Sequence, residues 1–137
     1  MRTATTLLLT ALSSVPLVRA AAQSAPALMP LPKEITLGSG QLRLDSTFSI
    51  GYDEMTNGRL ERGAARALAR IATRTGLTIT PRSGSNLATL RLAVGSEGEA
   101  IQTPDEDESY RLRIGPDGAR LTAPTVVGAL RGLETVV

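Results

Sequence analysis

From Asn57 onward the apolar residues change their spacing, and that change divides the chain into its elements. Before it, Phe48, Ile50 and Tyr52 alternate with small or polar residues, the period of a strand with one buried face. After it, Leu60, Ala64, Ala67, Leu68 and Ile71 recur at helical spacing, with Asn57 placed to cap the start and Gly76 to close the end. The opposite side of this helix carries Arg62, Arg66, Arg70 and Arg74, four residues apart, as a basic row. Such a row is a solvated face in most helices, and a docking strip for an acidic partner is the sharper alternative.

Further strands follow the helix. "GLTITP" (76–81) and "TLRLAV" (89–94) each read as one, the latter with Leu90, Leu92 and Val94 inward and Arg91 outward. In "SYRLRIGPDGARLTA" (109–123), Tyr110, Leu112 and Ile114 alternate with Arg111 and Arg113, "GPDG" turns the chain, and Leu121 and Ala123 resume the pattern. This predicts a β-hairpin whose arginines lie on its wetter face or beneath whatever covers it. Earlier, residues 35–37 and 42–44 read as two short strands joined through "GSG", after a lead-in segment held extended by Pro26, Pro30 and Pro32.

The last apolar set, Val126, Val127, Leu130, Leu133, Val136 and Val137, lines one face of a helix that starts near Pro124 or Thr125. Neither a terminating Gly or Asn nor a basic residue in the last turn closes it, so the pattern predicts a chain that continues beyond Val137. The order is strands, helix, strands, hairpin, helix. It predicts an α+β fold, a mainly antiparallel sheet with two helices packed on one face. No internal repeat is visible.

Composition changes this picture at the N-terminus. Arg2, the apolar run 7–18 and Ala20, Ala21 and Ala22 have the layout of a secretory signal over residues 1–22, which leaves 23–137 as one domain of an exported, periplasmic or extracellular protein. The apolar run is too short to span a bilayer. The formal charge of +2 is carried by Arg2 and Arg19, so the remaining domain is neutral. A neutral domain has no general field for nucleic acid or an anionic membrane.

Cysteine and histidine are both absent, which excludes disulfides and thiolate or imidazole metal sites and leaves carboxylates as the acid/base groups. With one Phe, two Tyr and no Trp, the core must be aliphatic and aromatic sugar or base platforms are scarce. Marginal stability is the expectation for so small an aliphatic core.

Two sets of carboxylates are candidates for chemistry. The loop "EGEAIQTPDEDES" holds Glu97, Glu99, Asp105, Glu106, Asp107 and Glu108, but no Gly bends "PDEDES" around a calcium ion, so it reads as a solvated loop rather than a metal site. Asp53 and Glu54 follow the strand at Tyr52. A two-carboxylate glycosidase mechanism needs spatial separation and a cleft, which adjacency in sequence does not supply. No G-x-S-x-G elbow, P-loop or G-x-G-x-x-G is present. No cofactor, metal or catalytic residue is assigned.

As a string, "DESYRLRIGPDGARLTAPTVVGALRGLETVV" resembles the end of the small N-terminal domain that precedes the catalytic barrel in β-N-acetylhexosaminidases of glycoside hydrolase family 20. "ALMPLPKEITLGSGQLRL" resembles the opening of the same domain and "RGAARALARIATRTGLTI" its first helix and following strand. The resemblance spans residues 27–137. It implies an enzyme family that removes terminal N-acetylhexosamine with the substrate's own acetamido group as nucleophile. An Asp-Glu pair in the (β/α)8 barrel, following Gly-Gly, supplies the protein's share. The Asp-Glu steps at Asp53, Asp105 and Asp107 lack that context, so no catalytic residue carries over.

The implied reading is a non-catalytic front domain, inactive by itself, whose partner is the missing barrel. Carbohydrate would be met only through that barrel, with no nucleic acid and no membrane span. The alternatives are the equivalent domain of another glycosidase, such as an α-glucuronidase, or a stand-alone exported module binding carbohydrate or protein.

Overall fold

The computed structural model describes residues 28, 31–53, 55–79 and 87–137. Six elements follow one another: β1 (Ile50–Tyr52), α1 (Gly58–Thr75), β2 (Leu90–Ser96), β3 (Arg111–Gly115), β4 (Gly118–Thr125) and α2 (Val126–Val136). The expected signal at 1–22 lies outside the described residues.

Local sequence accounts for the ends of α1. The Asn57 side chain accepts a hydrogen bond from the Leu60 amide at 2.9 Å, and Gly76 closes the helix at φ 71°, donating its amide to the Ala72 carbonyl. A side chain at Gly76 would be strained by that left-handed backbone. For α2 the cap is Thr125, whose hydroxyl accepts from the Gly128 amide at 3.2 Å while donating to the Asp107 carbonyl at 2.7 Å. One buried side chain thus starts a helix and anchors the loop before β3.

The four strands lie in the order β1-β2-β4-β3. The α+β class stands, but the sheet is mixed rather than mainly antiparallel. β1 with β2 and β2 with β4 are parallel, and β3 with β4 is the antiparallel hairpin. The physical reason is the connection: α1 carries the chain from the end of β1 back to the start of β2, and a helical crossover joins parallel neighbours.

Three expected strands differ as well. Residues 35–37 and 42–44 form no strand; Ile35, Leu37 and Leu44 are exposed, and Leu42 packs against the core from an irregular segment. Alternation there has no ladder partner to convert it into a strand. In 76–81, residues 77–79 are likewise irregular, with Ile79 against the core, and 80 and 81 lie outside the described residues.

One face of the sheet is covered. Ile50, Leu90, Leu92, Val94, Leu121 and Ala123 point to the helices and meet Leu60, Ala64, Leu68, Ile71, Val126, Ala129 and Leu133 in one aliphatic core, joined by Phe48. Each fully buried Leu or Ile there contributes about 1.5–3 kcal/mol. Glycines allow close approach of the helices. A Cβ at Gly63 would lie 2.1 Å from Leu130 Cδ2, and one at Gly132 would lie 2.3 Å from Leu121 Cδ1.

Candidate functional site

The second face of the sheet is open and basic. Cross-strand register places Gly51 beside Arg91, Arg91 beside Arg120, and Arg120 beside Arg113, with Arg111 beside Thr122 one step along. The hairpin arginines therefore stand on the wetter face, as expected. Asp53, just past β1, closes this row on one side. Its backbone amide extends the ladder to the Leu92 carbonyl, and its side chain is only 6% exposed. Arg91 donates its Nε to Asp53 Oδ1 at 2.6 Å, and an Arg120 guanidinium nitrogen lies 2.6 Å from Oδ2. Asp53 thus ties β1, β2 and β4 together. The carboxylate is enclosed and ion-paired with both guanidinium groups, although its Oδ2 accepts no well-aligned hydrogen bond. Glu54 lies outside the described residues.

The acidic loop is tied to α2. Arg131, on α2, donates to both oxygens of Glu108 at 2.8 and 2.9 Å, and Gln102 donates to Glu108 Oε1. The Arg131 hydrogen bonds hold the Glu108 carboxyl below its ordinary value, while Glu108 raises Arg131. Ser109 holds the Asp107 carboxyl below its ordinary value, first through its side chain and then through its amide, which donates to Oδ1 at 2.8 Å. Glu106 accepts from the Glu99 amide at 3.2 Å. Among the described residues, no three His, Cys, Asp or Glu side chains converge as a metal site would require. Glu97 and Asp105 are exposed on the same loop.

The basic row of α1 is divided. Arg70 pairs with Glu134 and Arg74 donates to the Val137 carbonyl, so two of the four arginines bind α2. Arg62 and Arg66 are exposed. A continuous docking strip is therefore not presented. The interactions missed in the sequence, Asp53 with two arginines, Glu108 with Arg131, Tyr110 with Thr135 at 2.6 Å, all join residues far apart in the chain. The outward arginines at alternating strand positions were the available signal that a counter-charge had to be present.

With this arrangement in view, a family profile described as "beta-acetyl hexosaminidase like" matches residues 28–137. The chain belongs to that family. Its hexosaminidase-like domain is 32% identical over 111 residues to beta-hexosaminidase subunit B2 of Dictyostelium discoideum, covering 78% of this chain and 19% of that protein. It is 31% identical over 131 residues to beta-hexosaminidase 1 of Arabidopsis thaliana, covering 83% and 24% respectively. In structure it resembles the Flavobacterium johnsoniae chitobiase, with a TM-score of 0.71 at 28% identity over 80% of this chain and 17% of that one. The domain thus spans about a fifth of the length of these relatives. No helix among the described residues is long and apolar enough to cross a membrane.

Proposed function

We propose that this hexosaminidase-like domain is the non-catalytic front part of an exported β-N-acetylhexosaminidase, and that hydrolysis of terminal N-acetylhexosamine takes place in a barrel encoded beyond Val137. The supporting observation is the match itself: relatives named as hexosaminidases are matched over most of this chain but only 19% and 24% of their own length. The site chemistry agrees. Asp53 is ion-paired with Arg91 and Arg120, and Glu108 with Arg131, which supports a structural role for both. The substrate-assisted retaining mechanism belongs to the proposed barrel, where an Asp orients the acetamido group and a Glu serves as general acid/base.

The domain's part is then to present a rigid α+β body to its neighbour. Residues 1–22 act as the export signal in this reading, giving a periplasmic or extracellular product. The test compares the 137-residue chain with the product read through the downstream codons, both assayed on a chromogenic N-acetylglucosaminide. Turnover by the longer product alone is expected. Turnover by the short chain, or an unrelated downstream sequence, overturns the reading. Export is checked by the mass of the mature N-terminus, expected to begin near residue 23.

A further inference from the structure

Although the domain without residues 1–22 is neutral overall, its charge is unevenly placed. Arg91, Arg120 and Arg113 stand side by side on three adjacent strands, about 4.8 Å apart from strand to strand. Like charges directly opposite each other destabilise a sheet. Asp53 offsets this on one side by pairing with Arg91 and Arg120. On the other side, Arg111 and Arg113 form no ion pair among the described residues. They border a shallow depression of about 530 Å³ lined also by Ser109, Arg120, Thr122 and Pro124. The face is short of counter-charge, and the shortage lies over β3 and β4.

We propose that this face binds an anionic oligosaccharide, its carboxylate or sulfate groups held by Arg111, Arg113 and Arg120. Guanidinium forks match planar or tetrahedral oxyanions with paired N–H donors, and the hydroxyls of Ser109 and Thr122 lie at the same depression for neutral sugar oxygens. A single-stranded nucleic acid would gain most from stacking platforms. Tyr110 is the aromatic residue at the depression, and its hydroxyl is engaged by Thr135. The depression's lining residues are mostly arginines and hydroxyl-bearing side chains, so a lipid or apolar peptide has little to anchor on. The choice of a saccharide rests on the hexosaminidase reading, but the two fail separately: binding is scored on this chain, and turnover on the longer product.

The experiment titrates the 137-residue chain with a chondroitin sulfate hexasaccharide, using an unsulfated chitin hexasaccharide of equal length as the neutral probe. Saturable binding of the sulfated probe is expected, weakening at least about tenfold in R111E/R113E and falling as salt rises from about 0.05 to 0.5 M. The R62E/R66E variant on α1 should keep its affinity within about twofold. Amide chemical shifts that move with the probe should cluster in β3 and β4, which locates the site without any variant. No saturable binding at low salt, equal weakening in R62E/R66E, or shifts centred on α1 would overturn the proposal. Equally tight binding of poly-glutamate or single-stranded DNA would overturn the assignment to a saccharide.

Discussion

The two faces of one sheet solve opposite problems. On the helix side, Leu90, Leu92 and Leu121 are fully buried, and glycines let two helices close over them. On the open side, the next residues along the same strands, Arg91 and Arg120, stay 40% and 52% exposed around a single carboxylate. Neighbouring residues in the sequence thus serve packing and charge in alternation, because successive side chains of a strand point to opposite faces. Stability should therefore reside on the covered face, and sensitivity to salt and anions on the open one.

Substitutions can break or sharpen that division. The largest loss should follow Leu121→Ala, which empties the centre of the covered face and should cost about 2–5 kcal/mol in denaturant unfolding. Next is Gly128→Ala: its Cβ would lie 2.3 Å from the Ser109 carbonyl oxygen, a backbone atom that cannot swing away, for about 1–3 kcal/mol. Thr125→Ala removes both the α2 cap and the tie to Asp107 and should cost about 1 kcal/mol.

On the open face the effects shrink and change character. Asp53→Asn should cost about 1 kcal/mol, because its arginine partners remain half in water. Arg113→Ala should stay within about 0.5 kcal/mol and should reduce the stabilisation that added salt gives the parent chain. A cost for Arg113→Ala equal to that of Leu121→Ala would end the division between faces.

The smallest effect concerns acid. Glu108 in the folded chain titrates below its ordinary value of 4.5, so the unfolded chain binds protons more readily. The stability Glu108 contributes is present above that ordinary value and is lost as pH falls through the folded one. Glu108→Gln should therefore flatten the acid limb of a pH–stability curve, leaving the neutral region nearly unchanged.

Both helices and the hairpin were legible because their signals are local: Asn57 and Gly76 bracket one helix, Thr125 opens the other, and "GPDG" fixes the turn at Gly118, whose φ of 136° suits glycine. The parallel pairings were not legible. The pairing of β1 with β2 depends on a crossover helix, and the register between Arg91 and Arg120 on a loop pinned through Asp107 and Thr125, contacts formed only in the folded chain. The same distance in sequence hid the clamp on Asp53. Residues 35–44 misled for the converse reason, since local alternation was present and a ladder partner was not.

The most direct test uses the extended product proposed above. The role proposed there for this domain is a scaffold that contributes no reacting group. D53N, D105N and D107N, introduced together into the product extended past Val137, alter the Asp of every Asp-Glu step in the domain. With turnover of a chromogenic N-acetylglucosaminide measured below the unfolding temperature, kcat should remain within about twofold of the parent. A fall of about a hundredfold or more in kcat, with the fold intact, would place a reacting carboxylate in this domain and contradict the account.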